Sequence, residues 1–193
     1  MLRTAALASA FVLAMASAAQ AVPVFFKTGL SGANESPPNG SLGTGWANVL
    51  FDIDTHMMEV IVSFQGLTTA NTASHIHCCT ATPGLLTASV ATTTPTFPGF
   101  PAGTSGFYDQ IFDMSLASSY RAGFITDHGG IAQAEQDLFN GMLAGTAYLN
   151  VHSSTFPGGE IRGFLQVPEP LTLSIFGVGL AGAAALRRRR RAG

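Results

Sequence analysis

The sequence predicts a mainly β fold: an antiparallel β-sandwich, Ig-like or Greek-key in type, with a short helical insertion. A signal helix is expected before it and a transmembrane helix after it. Three observations predict this. Apolar and polar residues alternate in short runs through the middle of the chain. Stretches rich in glycine and proline separate those runs. Each end carries an uncharged apolar segment next to arginine.

Chain order justifies each element. Arg3 gives a positive start, Ala5 to Met15 is apolar, and small residues close on Ala19-Gln20-Ala21. That is the layout of a secretory signal peptide over 1–21, cut after Ala21, with an apolar run too short to span a membrane. Val24 to Gly29 reads as a strand and 31–40 as a loop, by its Gly, Pro and Asn content. Ala47, Val49, Phe51 and Ile53 share one strand face. Met58, Val60, Val62 and Phe64 resume the alternation after Asp54-Thr55-His56, so 46–65 is a hairpin. Ala73 to Cys78 is a third strand, and 81–106 is mostly loop. Phe107 to Asp113 is a strand. Ser115 to Tyr120 and Ile131 to Leu143 are helical, the second with Ile131, Ala134, Leu138 and Leu143 on one side. Gly145 to His152 and Glu160 to Gln166 close the domain as two strands.

The C-terminus has three parts. Pro168, Glu169 and Pro170 break the preceding strand, because each proline removes a backbone donor. Leu171 to Leu186 runs without a charge. As a helix it would be ~24 Å long, short of a ~30 Å hydrocarbon core, so it is a marginal transmembrane segment. Arg187, Arg188, Arg189, Arg190 and Arg191 follow, a block that stays cytoplasmic. Pro-Glu-Pro, apolar segment and arginine cluster, in this order over 167–193, resemble the PEP-CTERM sorting signal of Gram-negative bacteria. The resemblance implies an exosortase-type membrane protease as partner, besides the secretion translocon. The precursor would sit transiently in the inner membrane, and the mature form at the cell surface or in the extracellular matrix.

Between the two ends, 22–166 carries three basic and ten acidic residues, a net charge of −7. Such a domain is a poor ligand for nucleic acid and attracts cations. Cys78 and Cys79 are the only cysteines. Adjacent Cα atoms lie ~3.8 Å apart across a trans peptide, below the usual ~4.4–6.8 Å for a disulfide. The pair is therefore a vicinal ring, an intermolecular bridge, a metal ligand or two thiols.

His75 and His77 are two apart on a strand and leave the same face, with Ile76 opposite. Tyr148, Asn150 and His152 share a face of a later strand. If the two strands pair, His75, His77 and His152 converge, and imidazoles suit copper or zinc. Cys79 and Glu160 are candidate further ligands, Glu160 also as an acceptor behind a ligand. The competing reading makes the histidines structural, bonding loops across the fold, with Glu160 and Arg162 an ion pair. No catalytic residue is assigned: there is no Gly-x-Ser-x-Gly, no His-Glu-x-x-His and no phosphate-cradling glycine loop.

Five segments carry a second resemblance: Gly32-Ala33-Asn34-Glu35-Ser36-Pro37-Pro38, Phe64-Gln65-Gly66-Leu67, Ser74-His75-Ile76-His77, Tyr148-Leu149-Asn150-Val151-His152, and Gly158-Gly159-Glu160-Ile161-Arg162-Gly163. In this order they resemble a CHRD domain over 22–166. Ser36 stands where valine is commoner, and Cys78-Cys79 where a glycine usually follows. The resemblance implies an exported β-rich module without an established reaction. The first functional expectation is thus a noncatalytic surface or matrix module, binding extracellular polysaccharide (as in a biofilm) or a surface protein. The alternative is a metal-binding or redox-active exported protein.

Overall fold

The computed structural model describes residues 22–168. The signal peptide with Ala19 and Ala21, the sorting residues Glu169 and Pro170, the apolar segment 171–186 and Arg187 to Arg191 lie outside them. Among the described residues no helix is long and apolar enough to cross a membrane.

Among the described residues seven strands form: β1 (Val24–Ser31), β2 (Thr44–Asp52), β3 (Met57–Gln65), β4 (Asn71–His77), β5 (Gly106–Asp113), β6 (Tyr148–Ser153) and β7 (Ile161–Phe164). The helices are α1 (Ala122–Asp127) and α2 (Ile131–Leu143). The expected hairpin is β2–β3, in which Val49 pairs with Val60 and Phe51 with Met58. Asp52 Oδ1 accepts the Asp54 and Thr55 amides at 3.0 and 3.2 Å and fixes the turn. The helix expected over 115–120 is only a short 3-10 turn, Ala117–Ser119; the helical turns that follow it are α1. α2 buries Ala134, Leu138 and Met142 at i, i+4 and i+8, whereas Leu143 faces out.

The expected two-layer sandwich is instead one curled antiparallel sheet in the order β4-β6-β7-β1-β2-β3-β5. β7 is the reason. It pairs with β6 on one side and meets β1 on the other, through Ser31 with Arg162. A Lys27–Gln166 bridge continues that seam. The backbones come so close there that a Cβ at Gly163 would strike the Gly29 carbonyl and the Thr28 hydroxyl.

The inner face holds the apolar core. Phe26, Val49, Phe51, Val60 and Val62 belong to it, and Phe139 of α2 meets the Phe26 and Phe51 rings edge-on at 6.3 and 5.3 Å. Phe97, from the long loop between β4 and β5, stacks on Tyr108 at 5.8 Å, and its amide bonds the Ser74 carbonyl at 3.1 Å. That loop ties the two edge strands together and curls the sheet.

Candidate metal centre

β4 and β6 pair antiparallel, as the convergence of the histidines requires. His75 lies opposite Asn150, Ala73 opposite His152, and His77 opposite Tyr148. On β7, Arg162 continues the His75–Asn150 row and Phe164 the His77–Tyr148 row. The other face of these strands carries Ile76, Leu149, Val151 and Ile161 into the core. The strands are thus buried on both sides, with apolar residues inward and polar ones outward.

Loops cover the outward face and bond it. His75 Nε2 donates to the Pro95 carbonyl at 2.6 Å, His77 Nδ1 to Ala88 at 2.9 Å and His152 Nδ1 to Pro157 at 3.0 Å. A carbonyl only accepts, so each ring must carry its proton on that nitrogen. The second nitrogen of each neutral ring is then a bare lone pair. All three of these atoms, His75 Nδ1, His77 Nε2 and His152 Nε2, are buried without a hydrogen-bond partner. One ring nitrogen from each histidine lies within 4.8 Å of the others. An ion bound at ~2.0–2.1 Å would hold three nitrogens about 3.3–3.6 Å apart, so it would draw the rings inward.

Burial keeps the rings neutral. It pushes His77 down to about 4, against the Ala88 hydrogen bond, with His152, His75 and Arg162 adding to the depression. His75 and His152 are lowered by burial too, each partly restored by its carbonyl partner. The rings touch one another, His75 and His152 with centroids 5.3 Å apart. His77 stacks on Tyr148 at 4.8 Å, and the Arg162 guanidinium lies 4.7 Å from the centroid of the Tyr148 ring.

The two candidate further ligands are placed elsewhere. Cys79 forms a disulfide with Cys78, and its sulfur lies 3.6 Å from the Asp137 carbonyl of α2, on the core side of the sheet. Of the states open to the pair, the vicinal ring is the one present. Glu160 accepts the Ser41 hydroxyl and the Thr68 amide, each at 2.6 Å. Burial pushes its carboxyl up, but hydrogen bonds from Ser153, Ser41 and Thr68 outweigh that and hold it low. The expected Glu160–Arg162 pair is replaced by Glu35 Oε2, 3.8 Å from Arg162 Nε. Arg162 also donates from Nη1 to Leu86 at 2.9 Å and from Nε to the Asn34 carbonyl. His56 Nδ1 bonds Glu135 Oε2, and His128 Nδ1 donates to the Phe124 carbonyl.

Glu35 is the functional candidate that the residue pattern missed. It sits in the Gly-Ala-Asn-Glu-Ser-Pro-Pro loop, which reads as a turn and gives no hint of burial. Its only signal in the sequence is its place in a segment that resembles the CHRD domain. Burial pushes its carboxyl up to about 7, opposed by Arg162 and the Ser36 amide.

The model of the CHRD domain matches residues 26–165, and that of the PEP-CTERM protein-sorting motif matches residues 166–190. No curated protein and no solved structure matches the chain.

Proposed function

The chain belongs to the CHRD domain family and carries a PEP-CTERM sorting motif, and from that premise we propose that it is an exported module holding one copper or zinc ion on His75, His77 and His152. The sorting motif marks an exported protein with a membrane-anchored precursor handled by an exosortase. In this reading the signal peptide is cut after Ala21, the tail is cut near Pro168-Glu169-Pro170, and the domain acts at the surface or in the matrix. Loss of residues 168–193 then leaves the protein mislocalised in fractionated cells; an unchanged fate would count against the sorting part.

One observation supports the metal reading above all. Three buried imidazoles each spend one nitrogen on a carbonyl and leave the other unpartnered, and a ring nitrogen from each lies within 4.8 Å of the others. A buried acceptor without a donor costs about 1–3 kcal/mol, and three together in one place are hard to maintain without a ligand. Three imidazoles are a sufficient protein ligand set for zinc and suit copper. Elemental analysis of the purified protein should find about one equivalent of copper or zinc, lost in His75→Ala/His77→Ala. No bound metal, and no difference between the two proteins in affinity for added Cu or Zn, would overturn the reading.

A second reading, attachment to an extracellular polymer or surface protein, is favoured by a different face. The outer side of β1, β2, β3 and β5 exposes Phe25, Trp46, Leu50, Phe107 and Ile111 to water. Trp46 and Phe107 meet edge-on at 6.4 Å and form an aromatic platform.

A further inference from the structure

A divalent ion on three neutral imidazoles would bring two positive charges to a face that already buries a guanidinium. Arg162 is 3 % exposed and has Glu35 as its carboxylate neighbour. Charge at such depth must be compensated nearby. The ligands supply none, since all three are neutral. Glu160 also has an unpartnered oxygen, Oε2, but Ser41 and Thr68 on Oε1 already hold it ionised, so its charge does not change on loading. Glu35 remains, and half of its carboxyl has nothing to do: Oε1 is buried without a partner.

Asn150 connects it to the histidines. It pairs with His75 on one side and Arg162 on the other, and it precedes His152 by two on the same face. Its Oδ1 is unpartnered as well. Both orphan oxygens look into one space beside Gly159. A Cβ there would come within 2.7 Å of Asn150 Oδ1 and 2.8 Å of Glu35 Oε1. Gly159 adopts φ 136°, open to glycine alone, and its missing side chain leaves the carboxyl and the amide side by side.

Resting on the metal reading above, we infer that Glu35 is the counter-charge of the occupied site: when a divalent ion settles on His75, His77 and His152, the Glu35 carboxyl gives up its proton to solvent. The balance is simple: one divalent ion enters, one O–H bond of a carboxyl breaks, one proton leaves, and no electron moves. Loading is then coupled to proton release by a group that is not itself a ligand.

The surroundings of Glu35 agree. In the metal-free protein its carboxyl, pushed up to about 7 by burial, still holds its proton in mild acid. The groups that face it are Arg162, the Ser36 amide, Asn150 and Tyr148. Burial pushes the Tyr148 phenol up, so that it stays neutral. The metal should bind more tightly as pH rises through neutrality, as the Glu35 carboxyl loses its proton.

The test is calorimetric titration of Zn2+ into the metal-stripped full-length chain in detergent, in two buffers of different protonation enthalpy. It yields affinity and protons released together. Wild type should release most of one more proton per ion at about pH 6 than at about pH 8. Glu35→Gln should lose that difference and bind about a hundredfold more weakly at about pH 8, with the gap narrowing toward about pH 6. Equal proton counts at the two pH values in wild type would overturn the inference, as would an unchanged count in Glu35→Gln. If Glu35→Gln fails to fold, the wild-type count decides alone. Zn2+ binding abolished by His75→Ala/His77→Ala with a flat proton count removes this inference and leaves the metal site standing. No Zn2+ binding by wild type removes both.

Discussion

On β1, β2, β3 and β5 the outer face of the sheet meets water, and Trp46, Phe107 and Ile111 are 42, 61 and 59 % exposed there. On β4, β6 and β7 the same face is closed over by loops, and His75, His77, Asn150, His152 and Arg162 are each at most 9 % exposed. Burial does not follow polarity. The half open to water exposes apolar side chains among Lys27, Asn48 and Asp109, and the covered half buries imidazoles, an amide and a guanidinium. Of the seven unpartnered buried side-chain atoms among the described residues, only Glu135 Oε1 belongs to a group remote from the covered half. Stability alone would not arrange a sheet so, because a buried polar group without a partner weakens the fold. The inner faces of both halves hold the molecule together, and the covered outer face is free to serve a ligand.

The comparison breaks most visibly in the open half. Phe51 is fully buried under α2, and its ring packs edge-on against Phe139. Phe51→Ala should lower stability by about 3–5 kcal/mol, read as a shift of the urea midpoint. Metal affinity measured well below that midpoint should stay at the wild-type value. A loss of binding in the folded variant would mean that the two halves are coupled.

Acid should act on the covered half. His77 has a folded value of about 4 against an ordinary 6.5, so the unfolded chain takes up its proton first as pH falls. The His77 contribution to stability is therefore complete above pH 6.5 and is lost as pH falls from 6.5 toward 4. His75 and His152 shift in the same direction. Glu35 has the opposite sign: raised from 4.5 to about 7, it holds its proton in the fold, so it weakens the fold as pH rises between those values. The His77 and Glu35 contributions nearly cancel between about pH 7 and about pH 5, so His75 and His152 should leave the metal-free protein less stable at the lower pH in urea titrations. Stability that rises over that interval would show that the rings are not held neutral.

The two halves also differ in how far the sequence revealed them. The β2–β3 hairpin is legible because one face is wet, so Ala47, Val49 and Phe51 alternate with polar residues. The histidine trio is legible for the same period-two reason, once strands 73–78 and 145–152 are expected to pair. What stays hidden depends on covalent or loop-mediated closure. No pattern in 31–40 says that Glu35 will be folded over β7 to meet Arg162. The single sheet was hidden because Gly163, which lets β7 approach β1, looks like any strand glycine. Glu160 is a decoy, since its position next to Ile161-Arg162 suggests an ion pair while Ser41 and Thr68 reach its carboxylate across the fold.

The smallest expected change in stability is the sharpest test of the division of labour. His77→Phe keeps an aromatic ring against Tyr148, where the imidazole now stacks nearly parallel with an interplanar angle of 6°. It removes the Nδ1 hydrogen bond to Ala88, which leaves one carbonyl under a loop without that donor. It also removes the orphan Nε2 and the burden of keeping an imidazole neutral. These effects oppose each other, and their sum should fall within about 1 kcal/mol of wild type at neutral pH. The acid sensitivity should shrink, because one of three depressed rings has gone. Metal affinity, in contrast, should fall by at least about a hundredfold, since two imidazoles alone make a poor site. A residue that matters little to the fold and decisively to binding is what a functional histidine predicts. A structural histidine predicts the reverse, with stability lost and metal affinity unmoved, so a single variant measured in two assays separates the two.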